Sequence, residues 1–238
     1  MKILMTGGTG LLGKEILKLD EKIFAPTREE MDICDHEAVL RVFKVYRPDV
    51  VLHLAAATKP PQHETNPEVG IMNNIVGTAN IAMACIILGI RLIYTSTDYN
   101  YVGAGPHKED EGVLPPYNFG WSKLGGECSV AMCPKHLILR LSFGPVPFPW
   151  EKVYSGQSNS KLYVDEMAPL VLASAKSEAI GIMNVGGVVS DLATYAARTA
   201  LVIERTAKPD WVPKDTSLDI TKMKKELGIE DEKSLYKR

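Results

Sequence analysis

Met5-Thr6-Gly7-Gly8-Thr9-Gly10-Leu11-Leu12-Gly13 is the stretch that decides the fold. It follows the apolar run Ile3-Leu4-Met5 and opens a segment with helical spacing at Leu12, Ile16 and Leu17. Strand, glycine turn and helix form the context in which glycines spaced three and three mark a dinucleotide site. Gly7 allows a tight turn, Gly10 leaves no side chain between the backbone and a pyrophosphate, and Gly13 lets the helix lie close on the strand. The groups at the helix start, from Thr9 through Leu11 and Leu12, then face the anion.

Outward from that turn, strands and helices alternate. Lys22 to Pro26 reads as a second short strand, Val50 to Leu54 as a third, Arg91 to Tyr94 as a fourth and Leu137 to Leu141 as a fifth. Between them lie a helix with Asp35 as N-cap and an apolar side at Val39, Leu40, Val42, Phe43 and Tyr46, a long helix from about Pro67 to Leu88 with an apolar face at Ile71, Ile75, Ala79, Ala82 and Ile86, and another from near Tyr117 to Met132. The third strand is almost wholly apolar, as in a parallel sheet covered on both faces; His53 within it reads as a packed strand residue. The alternation predicts an α/β fold, a Rossmann-type doubly wound parallel sheet over residues 1–142. From 143 to 238 the pattern changes. A Pro-bearing cover runs from Phe143 to Ser160, a helix opens at Leu162 to Asp165, and a sixth strand, Ile180 to Val185, returns to the main sheet. Short helices over Leu192 to Arg205 and Thr221 to Leu227 complete a small C-terminal substrate lobe.

Composition narrows the class. The chain has 238 residues and a formal net charge of -2, so nothing suggests a nucleic-acid partner. With the first strand opening near residue 2, no leader is expected. The apolar run Ile81 to Ile90 falls short of the ~20 residues of a membrane helix, so no membrane span is expected. Cys34, Cys85, Cys128 and Cys133 lack metal-ligand spacing, so no metal is expected and reduced cytoplasmic thiols are the ordinary reading.

The adenosine end carries a second signal. About 20 residues past the turn, a fingerprint acid would bind the ribose 2′-hydroxyl. Thr27 and Arg28 stand there instead. A guanidinium favours a 2′-phosphate, so NADP is expected over NAD. Thr27-Arg28-Glu29-Glu30 is also a capping box, and both roles can hold at once.

Two further clusters lie at the ends of strands four and five: Ser96-Thr97-Asp98-Tyr99 and Phe119-Gly120-Trp121-Ser122-Lys123. Positions 119 and 123 share one helical face. Together with Thr6 to Gly13, Met31-Asp32-Ile33-Cys34-Asp35, Pro48 to Ala57, Asn74-Ile75-Val76-Gly77-Thr78, Lys108-Glu109-Asp110, Ser122 to Glu127 and Ser217-Leu218-Asp219, they resemble the extended short-chain dehydrogenase/reductase family. Within it the likeness is to the dTDP-4-dehydrorhamnose reductases, which reduce a 4-keto-sugar nucleotide. The resemblance implies that Lys123 binds the nicotinamide ribose and that Thr97 hydrogen-bonds the substrate carbonyl. Asp32 and Ile33 would border the adenine, and Leu54, Ala55, Ala56, Ala57 and Asn74 would lie beside the cofactor. It also implies a nucleotide-sugar substrate and a cytoplasmic homodimer, paired through the long helices.

The sequence departs from the family at position 119, where the proton-donating tyrosine is Phe119. Losing a positioned general acid costs ~10² to 10⁴ in rate. Tyr117 lies about 200° away around a helix. Thr97, or a water held by Thr97 and Lys123, is a relay candidate; Tyr99 and Tyr101 are weaker ones. The accounts left open are a reductase, epimerase or dehydratase with another donor, an NADP-binding regulatory subunit that has lost catalysis, and a deliberate Tyr→Phe change. The substrate lobe is also smaller than is usual for the family. Arg140, Lys152, Lys161 and Arg205 are available to grip a diphosphate, although a solvated surface charge explains each singly. Trp150 and Tyr154 read as packing residues or as a stacking platform.

Overall fold

The computed structural model describes residues 1–200, 203–209 and 212–237. β1 (Ile3–Thr6) leads through the glycine turn into α1 (Leu11–Leu19). Then come α2 (His36–Tyr46), β2 (Val50–His53), α3 (Pro60–Thr65) and α4 (Pro67–Gly70). α4 continues through a π-helical turn (Ile71–Val76) into α5 (Gly77–Leu88), followed by β3 (Arg91–Thr95), α6 (Asn118–Ala131) and β4 (His136–Leu141). The cover holds β5 (Phe143–Gly144), β6 (Lys152–Tyr154), β7 (Ser158–Asn159) and β8 (Leu162–Tyr163). α7 (Val164–Lys176), β9 (Gly181–Val185), β10 (Ser190–Asp191), α8 (Leu192–Ala197), β11 (Glu204–Thr206), β12 (Asp215–Thr216) and α9 (Thr221–Leu227) complete the order.

The main sheet is parallel, in the order β1-β2-β3-β4-β9. Successive residues of β1 serve opposite faces: Ile3 and Met5 join α1, α7 and α9 in one core, while Leu4 joins α2 and α5 in the other. Helices cover both faces, as a doubly wound sheet requires. The chain runs from β1 out to Phe24, then back past β1 to β2. The reversal opens a crevice at the strand ends, where ligands bind in such folds.

Several expectations change. The strand expected over Lys22 to Pro26 shrinks to one parallel bridge, Leu4 to Phe24. Phe24 N donates to Ile3 O at 3.1 Å and Met5 N donates to Phe24 O at 2.8 Å. Pro26 has no N–H with which to extend the ladder. Leu162 and Tyr163 pair with β5 as a strand, and the helix opens only at Val164. The helix expected over Leu192 to Arg205 ends at Ala197; Leu201 and Val202 lie outside the described residues. Glu204–Thr206 instead pairs in parallel with β6.

The helix Pro67–Leu88 has the bounds expected from the sequence, but its apolar character extends well beyond the run Ile81 to Ile90. Its 22 residues, with a mean hydropathy of 1.7 in the most apolar stretch, match the length and composition of a membrane span. Three of its polar residues point inward: Asn74, Thr78 and Asn80 are buried, and Asn80 Nδ2 donates to Ile33 O at 2.9 Å. Ile71 and Ile86 are exposed, whereas Ile81 and Cys85 are buried.

The boundary near residue 142 is crossed twice more. α7 packs on α1, and β9 pairs with β4. The lobe itself has a small core of Phe148, Val153, Tyr163, Tyr195 and Ala196.

Candidate cofactor and substrate cleft

A cleft of about 850 Å³ lies over the ends of β1, β2 and β3. Its floor is the glycine turn. Gly7 adopts φ +75°, and a Cβ there would stand 2.7 Å from Ala55 N. A Cβ on Gly13 would stand 2.4 Å from Gly7 O. Both contacts are too close for any residue but glycine. Gly10 differs: an added Cβ would meet only Gly7 O, at 3.2 Å. Gly10 is the N-cap of α1 and no side chain caps that helix, so its first amides are left for solvent or a ligand. An open backbone and an uncapped helix start suit a pyrophosphate.

His53 holds the neighbouring strand ends together. Its Nδ1 lies 2.7 Å from Thr6 Oγ1 and its Nε2 lies 3.0 Å from Thr78 Oγ1. Thr6 Oγ1 also accepts from Ala55 N at 3.1 Å. Burial pulls the His53 pKa down to about 3, so the ring stays neutral.

At the adenosine end, Thr27, Arg28, Asp32 and Ile33 line the cleft. The capping-box bonds form, Thr27 N to Glu30 Oε2 at 2.7 Å and Glu30 N to Thr27 Oγ1 at 3.3 Å, but they close a turn rather than a helix. Arg28 Nε donates to Asp32 Oδ2 at 3.0 Å, which fixes an exposed guanidinium at the rim.

Thr9, Leu11, Leu12, Leu54, Ala55 and Ala56 share the wall. Ala57 and Asn74 stand behind it. Asn74 Oδ1 accepts from Ala57 N at 2.8 Å, and its Nδ2 donates to Ala57 O at 3.0 Å and to Ser122 Oγ at 2.9 Å. The side chain expected beside the cofactor is a clamp between the loop after β2 and α6. The neighbouring Asn73 lines the cleft in its place.

Thr97, Phe119 and Lys123 converge on the opposite wall. Lys123 is buried, with Nζ 4.2 Å from the centroid of the Tyr94 ring. Burial draws its pKa down to about 7, against the pull of Glu127. Phe119 meets the His63 ring edge-on at 5.3 Å. Tyr117 turns away and packs edge-on against Tyr99 at 5.5 Å. Tyr101 lies in the core, where its hydroxyl donates to Asn184 Oδ1 at 2.9 Å. Tyr99 does reach the cleft, but burial pushes its pKa up to about 12.

A second cavity of about 770 Å³ opens under the lobe. Asp98, Tyr99, Ser142, Trp150 and Lys161 belong to both walls. Trp150 and Tyr154 therefore face a cavity rather than a core. Of the basic candidates, Lys152 and Lys161 line this cavity. Arg140 does not: it is buried in a bidentate pair with Glu127, at 3.1 and 2.8 Å. Arg205 is exposed on β11. Asp98 belongs to the cluster Ser96 to Tyr99 but had no role of its own in the sequence; an acid directly after Thr97 at a strand end was the available sign. Among the described residues no cluster has metal-binding character.

A family model described as the RmlD substrate binding domain matches residues 1–178. The chain belongs to that family. A dTDP-4-dehydrorhamnose reductase of Streptomyces griseus is 35% identical over 133 residues, covering 53% of this chain and 44% of that protein. Methionine adenosyltransferase 2 subunit beta of Rattus norvegicus is 31% identical over 141 residues, covering 54% of this chain and 42% of that protein. The match thus spans less than half the length of either curated relative. The crystal structure of a dTDP-4-dehydrorhamnose reductase from Bacillus anthracis, in complex with NADP, superposes with a TM-score of 0.86 at 23% identity, covering 99% of this chain and 98% of that one. The fold is accordingly Rossmann-like, with a parallel central sheet.

Proposed function

We propose that this protein is a cytoplasmic, NADP-dependent reductase of a keto-sugar nucleotide, of the dTDP-4-dehydrorhamnose reductase type. The observation that carries this reading is the convergence on one cleft of the open glycine turn, Thr97 and Lys123. The residues fit a dinucleotide. The uncapped start of α1 receives the pyrophosphate, Arg28 meets the 2′-phosphate at the rim, and Asp32 and Ile33 border the adenine. When bound, the reduced nicotinamide supplies a hydride. Lys123 holds the nicotinamide ribose, and its charge favours negative charge developing on the substrate oxygen. Thr97 holds the substrate carbonyl. The second cavity, with Trp150, Tyr154 and Lys152, takes the nucleotide diphosphate end of the substrate. The exposed apolar faces of α5 and α6 pair with a second copy.

Phe119, together with the likeness to methionine adenosyltransferase 2 subunit beta, favours a second reading. In it the chain binds NADP without turnover and regulates a methionine adenosyltransferase. One experiment separates the two. NADPH binding is followed by fluorescence, and NADPH oxidation is measured with 4-keto-sugar nucleotides. Binding with turnover supports the reductase. Tight binding without turnover, in both the natural protein and Phe119→Tyr, supports the regulator. Absence of NADPH binding at millimolar dinucleotide removes both.

A further inference from the structure

Asp98 stands directly after Thr97 in the wall common to both cavities, and it is 2% exposed. Thr97 Oγ1 donates to Asp98 Oδ1 at 3.2 Å and accepts from Tyr99 N at 3.2 Å. A threonine hydroxyl has one proton. While Asp98 is ionised that proton points at the carboxylate, and Thr97 has nothing to offer a carbonyl in the cleft. Protonation of Asp98 reverses the bond. The carboxyl then donates to Thr97 Oγ1, and the threonine hydrogen is free to turn outward.

The surroundings make protonation accessible. Burial pushes the Asp98 pKa up to about 6, opposed by hydrogen bonds from Thr216 and Thr97 and by the charge of Lys161. The groups facing the carboxyl are Lys161 from the segment before β8, Thr216 from β12, Tyr99 from its own turn and Tyr117 from the head of α6. Lys123 faces the same cleft from α6. Burial also lowers the Lys161 pKa, while Asp98 acts to raise it.

Resting on the reductase reading, we propose that Asp98 is the proton reservoir standing in for the tyrosine missing at position 119, delivering its proton through the Thr97 hydroxyl. As the carbonyl carbon gains a hydride from a reduced nicotinamide dinucleotide, a C–H bond forms and the C=O π pair moves onto oxygen. That oxygen takes the Thr97 proton, and Thr97 Oγ1 takes the proton of Asp98. The products are an alcohol, an oxidised dinucleotide and a carboxylate held beside Lys161 and Thr216. Asp98 is reloaded by water through the second cavity.

The test pairs turnover with a measurement on the protein alone. In the free protein, ¹³C NMR of the aspartate carboxyl carbons should show Asp98, assigned by its loss in Asp98→Asn, titrating near pH 6. kcat of the natural protein should fall as pH rises through the same range. Asp98→Asn can still donate an N–H to Thr97 Oγ1 but has no proton to give. It should lower kcat about 10²-fold, flatten that inflection and leave KM and NADPH binding little changed. Adding Phe119→Tyr to Asp98→Asn should restore kcat. An Asp98 carboxyl titrating in the ordinary aspartate range, or an unchanged inflection in Asp98→Asn, overturns the relay while NADPH binding and turnover leave the reductase reading standing. Loss of NADPH binding by the natural protein removes that reading itself, so the two failures are distinguishable.

Discussion

On the reductase reading, Phe119 and Arg28 matter through what each side chain can or cannot offer the cleft they line. Phe119 keeps the shape of the family tyrosine and lacks its proton. Arg28 offers a fixed charge: Asp32 engages its Nε and leaves the rest of the guanidinium at the rim. A hydrogen bond to a charged group contributes about 1.5–3 kcal/mol. Arg28→Ala should therefore weaken NADPH binding by roughly ten- to a hundredfold and leave NADH nearly unaffected. Fluorescence titration of both dinucleotides checks it; an unchanged NADPH affinity would remove Arg28 from the phosphate site. Arg28 was named from its distance past the glycine turn, Thr97 and Lys123 from the family resemblance, and all three line the cleft. Asp98 was named only as part of a cluster and Lys161 only as a diphosphate candidate; that they face one another was not legible. Their meeting depends on the cover folding back over the strand ends, and no spacing encodes that.

Among the elements, β4 and α6 are joined by a charge pair that the sequence did not announce. Arg140 and Glu127 are 3% and 4% exposed. Glu127 Oε1 also accepts from Asn100 Nδ2 at 2.7 Å and from Ser96 Oγ at 2.5 Å, which ties the pair to the turn carrying Thr97 and Asp98. Removing one partner of a buried pair strands the other charge, at about 3–5 kcal/mol. Glu127→Leu should lower unfolding stability by that amount in urea denaturation. The reciprocal Arg140→Met should cost a similar amount, whereas the double variant should recover much of the loss. Additive losses would show that the two side chains act separately. Periodicity marked β1 to β4 as strands because a sheet covered on both faces imposes apolar runs. It misjudged the edge, where Pro26 and not hydrophobicity sets the limit. Since Pro67–Leu88 is apolar nearly all round, it also misplaced the buried side of that helix: of the face Ile71, Ile75, Ala79, Ala82 and Ile86, both Ile71 and Ile86 are exposed. The π-helical turn at Ile71–Val76 also shifts the register of that face, and no sequence period reports such a turn.

At the scale of the whole molecule, one group of exposed apolar side chains among the described residues lies on that helix and its neighbour. Met83, Ile86 and Ile87 on α5 are 44%, 45% and 61% exposed, and Ile71 and Trp121 are similarly open on the π turn and α6. α5 and α6 lie side by side, so these residues fall on adjoining elements. An apolar surface of this kind marks an interaction site, and a second copy can cover it with an isologous contact in which each helix meets its own counterpart. Each large side chain withdrawn from water contributes roughly 1.5–3 kcal/mol, so a few central positions decide the association. The natural protein should therefore behave as a dimer in light scattering at micromolar concentration. Ile87→Glu would bring two carboxylates into the centre of the contact and should shift it to monomer, weakening association at least tenfold. NADPH binding should survive, because the cleft lies at the strand ends and Ile87 does not line it. The length and apolarity of Pro67–Leu88 supply the competing outcome. A natural protein that is monomeric in solution and sediments with phosphatidylcholine vesicles would assign this face to lipid instead, and Ile87→Glu would then abolish sedimentation without changing the mass in solution.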